Sequence, residues 1–162
     1  MYNKTYPTPE KLLPHNHPMI VISEVIDCDI EDGTLTSIAK PNSNDIFFQP
    51  QINGIPSYFA IEYMAQSIGC FAGIYDLQQN PPQKSRIGFL LGTKKMHAFT
   101  PTISINDIYT IKIKQLFMEE NLASFECAMY NSKNKKIAEA IINTYRPDPN
   151  KAMDFIMEHK ND

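Results

Sequence analysis

Residues 57–77 (SYFAIEYMAQSIGCFAGIYDL) constrain the fold more than any other stretch. Pro56 bars helix before them, Ser57 is a capping residue type, and Asn80-Pro81-Pro82 ends the segment. Between these limits the residues are apolar on nearly every side, which predicts one long helix that is buried rather than laid along a surface. Ala65, Gly69 and Gly73 recur at four-residue spacing and predict a small-residue stripe over which a sheet closes tightly.

The remaining sequence supplies that sheet. Residues 19–28 are rich in Ile and Val and read as a strand; Glu31-Asp32-Gly33 reads as a hairpin turn and residues 34–40 as the return strand. Residues 41–56 read as a loop. Four further β-like stretches follow the helix, at 86–99, 105–118, 123–130 and 136–146, with Lys133-Asn134-Lys135 turning between the last two. Alternation through Ile111-Lys112-Ile113-Lys114 marks a half-exposed strand. Short helical turns are expected at 9–13 and 151–159. Hairpin, buried helix, then consecutive strands predict an α+β class: one antiparallel sheet around one central helix, with residues 1–162 as a single domain.

Composition excludes some functions. Fifteen basic against eighteen acidic residues give a net charge of -3, too little positive charge for a dominant nucleic-acid-binding role. No apolar run approaches the roughly 20 residues that span a bilayer, and the first seven residues have no apolar core of the signal-peptide kind. Cys28, Cys70 and Cys127 are odd in number, far apart and each in an apolar run, which predicts buried reduced thiols and a cytoplasmic protein.

Two polar features interrupt the apolar pattern. Glu62 falls in the second turn of the predicted helix, and Gln66 follows on the same face one turn later. A carboxylate there can simply answer the positive end of the helix dipole. Alternatively, a carboxyl in an apolar site favours its protonated form and can serve as a proton donor. His15 and His17 alternate in an extended segment bracketed by Pro14 and Pro18. They can be ordinary loop histidines, metal ligands or a general base. A metal site would need a third clustered ligand, and none is apparent in the sequence; imidazole titrates near neutral pH and suits a base. Lys84, Arg86, Lys94 and Lys95 read as a solvated face that can also steer an acidic partner.

Several segments together resemble the β-hydroxyacyl-acyl carrier protein dehydratases of the hot-dog fold. They are Leu12-Leu13-Pro14-His15-Asn16-His17-Pro18-Met19, Phe47-Phe48-Gln49 and Ile61-Glu62-Tyr63-Met64-Ala65-Gln66. Gly88-Phe89-Leu90-Leu91-Gly92-Thr93, Phe125-Glu126-Cys127 and Asn143-Thr144-Tyr145-Arg146-Pro147-Asp148 bring the resemblance nearer to the subgroup associated with aryl-polyene pigment clusters.

The resemblance implies removal of water from 3-hydroxyacyl chains held on an acyl carrier protein, in fatty acid, polyketide or aryl polyene biosynthesis, by a homodimer or by a hetero-oligomer with another hot-dog subunit. It implies no cofactor and no metal. Glu62 takes the place of the family's acid, and Ser57 that of the glycine whose N–H polarises the thioester carbonyl. Gln66, Phe48 and Tyr58 are the other expected substrate-binding residues. Tyr58, Phe59, Phe89, Leu90 and Met96 are candidates for lining an acyl tunnel, core packing being their other fate. The family's loop histidine has no counterpart: Phe48 stands fourteen residues before Glu62, and Gln49-Pro50-Gln51-Ile52-Asn53-Gly54 contains no histidine. His15 is then the first candidate for the base and His17 the second. The same departure leaves open a non-catalytic acyl-binding partner subunit, and the fold leaves open an acyl thioesterase.

Overall fold

The computed structural model describes residues 4–79, 88–148 and 158. The expected terminal helix falls outside them apart from Glu158, as do Lys84 and Arg86.

A short helix, α1 (Pro9–Leu12), opens the chain. β1 (Glu24–Asp29) and β2 (Thr34–Ala39) form a hairpin, with Gly33 at its turn at φ +72. A three-residue strand, β3 (Gly54–Pro56), leads through a 3-10 turn, Ser57–Phe59, into the long helix α2 (Ala60–Leu77). β4 (Phe89–Ala98), β5 (Thr102–Ser104), β6 (Tyr109–Glu119), β7 (Leu122–Tyr130) and β8 (Lys136–Tyr145) complete the order. Six strands make one antiparallel sheet in the order β1-β2-β6-β7-β8-β4, and β3 pairs separately with β5.

α2 lies against the inner face of the six-stranded sheet, the arrangement of the hot-dog fold. Alternation puts Leu35, Ile111, Ile113, Phe125, Met129 and Ile142 into the core. They meet Met64, Ile68, Phe71 and Ile74 of the helix in one hydrophobic cluster. The Phe71 and Phe125 rings pack edge to face, 5.8 Å between centroids. Of the polar groups the helix brings inside, Ser67 Oγ lies 2.8 Å from Ser37 Oγ and donates to Tyr63 O at 2.9 Å, whereas the buried Tyr63 hydroxyl has no hydrogen-bond partner among the described residues. No helix of the described residues is long and apolar enough to cross a membrane.

Four expectations are corrected. The helix begins at Ala60 rather than Ser57, so Glu62 lies in its first turn; Ser57 makes no side-chain cap. The strand expected over residues 19–28 starts only at Glu24, because Met19 and Val21 give backbone groups to the Gln66 side chain. The stretch expected at 105–118 begins only at Tyr109, and Thr102–Ser104, outside every expected strand, pairs with the presumed loop at Gly54–Pro56. The glycine stripe faces the N-terminal segment and not the sheet. A Cβ on Gly73 would lie 2.4 Å from Leu12 O, and one on Gly69 would lie 2.6 Å from Leu13 Cδ2.

Candidate active site

The close approach of Leu12 and Leu13 to α2 carries the next residues, Pro14 and His15, along the helix face that bears Glu62. Gln66 fixes the far side of this crossing. Its Oε1 accepts from Val21 N at 2.8 Å, and its Nε2 donates to Met19 O at 2.7 Å. The His15 segment is thus held at both ends, by packing on two glycines and by one buried amide.

That same Nε2 donates to Glu62 Oε1 at 2.8 Å. Glu62 is half-buried in the first turn of α2, where the helix dipole adds positive potential. His15 and Glu62 line one cavity of about 320 Å³. Leu13, Met19 and Gln66 form its wall near this pair, and Ala65, Gly69 and Ala72 form its floor along α2. Phe89 and Leu90 close the side toward β4. An imidazole and a carboxyl at one end of a mostly apolar groove can exchange protons with a bound molecule while the groove holds its chain.

The remaining expected residues separate. Gln66 belongs to the site, as an orienting group. Phe89 and Leu90 line the cavity; Tyr58, Phe59, Phe48 and Met96 do not. Tyr58 is 63% exposed and rests on Phe59, which stacks on Phe47 at 4.2 Å; Met96 packs against the core. Ser57 N donates to Pro101 O at 3.1 Å, continuing the β3–β5 pairing. Its amide is therefore already occupied, which removes the expected free donor. His17 turns away from the cavity and pairs with Glu10, Nε2 to Oε1 2.8 Å, on the exposed side. The Glu10 carboxyl is held below its usual range by backbone hydrogen bonding first and by His17 second. Lys94 and Lys95 are exposed on β4 outside this cavity. No group of three or more His, Cys, Asp or Glu among the described residues is arranged to hold a metal ion.

The sequence reading missed Asp76 and Arg146, which face each other at the other end of the cavity. A clue was present: an acid late in an otherwise apolar buried helix requires a cationic or hydrogen-bonding partner.

A family model described as ApeP dehydratase, of the ApeP-like family, matches residues 7–156. Over 83 residues the chain is 34% identical to the 3-hydroxyacyl-(acyl-carrier-protein) dehydratase FabZ of Lactococcus lactis subsp. cremoris strain SK11, covering 49% of this chain and 53% of that protein. The FabZ of Lactococcus lactis subsp. lactis strain IL1403 is 32% identical over the same length. The chain spans about half the length of these curated relatives. Among solved structures, a chain of the dehydratase heterocomplex ApeI:P from Xenorhabdus doucetiae superposes with a TM-score of 0.83 at 25% identity, covering 93% of this chain and 98% of that one. A hypothetical thioesterase from Streptococcus pneumoniae TIGR4, at TM-score 0.59 and 11% identity over 76% of this chain and 84% of its own, shares the fold alone. With its fold, its carboxyl-bearing central helix and a family match over nearly its whole length, the chain belongs to the ApeP-like dehydratases.

Proposed function

We propose that this protein dehydrates 3-hydroxyacyl thioesters carried on an acyl carrier protein, giving the trans-2-enoyl thioester. The observation that carries the reading is the shared cavity of His15 and Glu62. His15 takes the proton from the carbon next to the thioester carbonyl. The bond from the third carbon to its hydroxyl oxygen breaks as Glu62 protonates that oxygen, and water leaves. Gln66 occupies one oxygen of the carboxyl, Oε1, which reserves Oε2 for the substrate. The proton left on His15 returns to Glu62 through solvent and resets the pair. Nothing in this scheme calls on a metal or a cofactor.

A specific observation favours a second feature, assembly with another hot-dog chain. β4 closes one end of the sheet order and carries exposed Leu90 and Leu91, with exposed Phe99 just past its end. The opposite edge, β1, is lined with Glu24, Asp27 and Asp29, the kind of charge that discourages strand addition. The similarity to a heterocomplex chain and the absence of a histidine in Gln49–Gly54 support a working unit in which this chain pairs through β4.

Product analysis tests the reaction. The chain is incubated with a 3-hydroxyacyl carrier protein, alone and with a co-expressed hot-dog partner. Enoyl thioester is the expected product. Free acid would mark a thioesterase, and an unchanged substrate in both incubations would refute the dehydratase reading.

A further inference from the structure

The cavity that holds His15 and Glu62 does not end beside them. It follows α2 to Asp76, fourteen residues beyond Glu62 and about 21 Å along the helix axis. There Arg146, just past the end of β8, donates from Nη2 to both carboxylate oxygens of Asp76, at 2.7 and 3.0 Å. The Asp76 side chain is 1% exposed and that of Arg146 17%.

Arg146 also borders a second cavity of about 310 Å³, walled by Phe71, Tyr75, Met118 and Phe125 among others. The two cavities share four residues: Ile68, Ala72, Thr144 and Arg146. The first two are fixed by the helix and Thr144 by its place in the sheet. Arg146 alone stands outside regular structure, with a long side chain that can swing. It is held by Asp76 and by its backbone N–H to Asn121 O at 2.9 Å; its buried Nε has no hydrogen-bond partner.

We infer that Arg146 is the end-stop of the acyl groove, so that the accepted thioesters are those whose extended chain fits between Glu62 and Asp76. This rests on the reading of the groove as an acyl site. An apolar tail that reaches Arg146 meets a guanidinium locked in an ion pair. Going further means breaking that pair in a buried site, which is strongly unfavourable. The second cavity is closed to the tail while the pair holds and open to it once Arg146 is released.

Binding of a length series of saturated acyl-pantetheine thioesters to the full chain, read by calorimetry, tests this without any turnover. Each methylene entering the groove tightens binding by about fourfold. In the wild type this gain stops at one chain length. In the double variant Asp76→Asn, Arg146→Gln, which keeps two hydrogen-bonding groups and removes both charges, the gain continues through longer chains. Should that variant fail to fold, Asp76→Asn alone, which keeps a hydrogen-bonding group beside Arg146 and removes the carboxylate that locks it, also moves the break to longer chains. A break at the same length in wild type and variants, or no break in the wild type, overturns the end-stop while leaving the acyl groove standing. Affinity that does not rise with length at all overturns the acyl groove itself.

Discussion

Gln66 donates from Nε2 to Glu62 Oε1 at 2.8 Å while the same nitrogen donates to Met19 O at 2.7 Å. One amide thereby ties the helix carboxyl to the segment that delivers His15. Replacing it by Met keeps most of the volume and removes all three of its hydrogen bonds, including that from the buried Val21 N–H. Gln66→Met is expected to cost about 1–3 kcal/mol in urea unfolding. A purely structural role predicts only that loss. A positioning role predicts in addition a fall in kcat on the order of 10- to 100-fold with KM nearly unchanged.

Gly73 and Gly69 differ in what a methyl group would strike. At Gly73 the obstacle is backbone, Leu12 O at 2.4 Å and Leu12 Cα at 3.0 Å; at Gly69 it is the movable tip of Leu13 at 2.6 Å. Gly73→Ala is expected to destabilise by about 1–3 kcal/mol despite the better helix propensity of alanine. Gly69→Ala is expected to be closer to neutral, because a rotamer change of Leu13 relieves it. Chemical denaturation of the two variants side by side checks the order; equal losses would contradict it.

Burial pushes the Cys28 thiol up to about 11 and those of Cys70 and Cys127 up to about 12. All three should therefore resist iodoacetamide at pH 8 in the folded protein and react once it is unfolded. The linkage has a definite sign. A thiol that stays protonated longer in the folded state holds more protons than the unfolded chain between about 9 and about 12. Stability from this source is complete below the unfolded value and declines as pH rises through that window. Urea midpoints measured from pH 8 upward should fall; a flat profile would contradict the burial of these groups.

Leu91 is 53% exposed on the outer strand β4, so Leu91→Lys should leave the fold intact and weaken association through that edge. Sedimentation is expected to show a shift toward smaller species with unchanged circular dichroism. An unchanged assembly would place the interface elsewhere.

The helix was legible because nothing except burial explains its apolar circumference, and the Glu62–Gln66 stripe was legible because residues four apart share a face. Its first turn was not. Pro56 and Ser57 look like a helix start, yet the Ser57 amide is claimed by Pro101, a residue remote in sequence. The same limit hid Gly54–Pro56 as a strand, since three residues carry no periodicity. Ile20, Val21 and Ile22 signalled burial correctly, but not that the backbone partner here would be a side-chain amide. Choosing between His15 and His17 needed the structure, because only the fold shows that His15 lines the cavity with Glu62 while His17 pairs with Glu10 outside it. Asp76 and Arg146 lie 70 residues apart, a separation over which no local pattern operates.

The proposed dehydration requires His15 and Glu62 to act together on one substrate. Dehydration of a 3-hydroxyacyl carrier protein should be followed for the wild type, Glu62→Gln, His15→Ala and His17→Ala in the same assembly state. Losses of about 10²-fold or more are expected for the first two variants, and a rate within a few-fold of wild type for His17→Ala, whose partner Glu10 lies outside the cavity. A His15→Ala variant that turns over like the wild type would contradict that requirement.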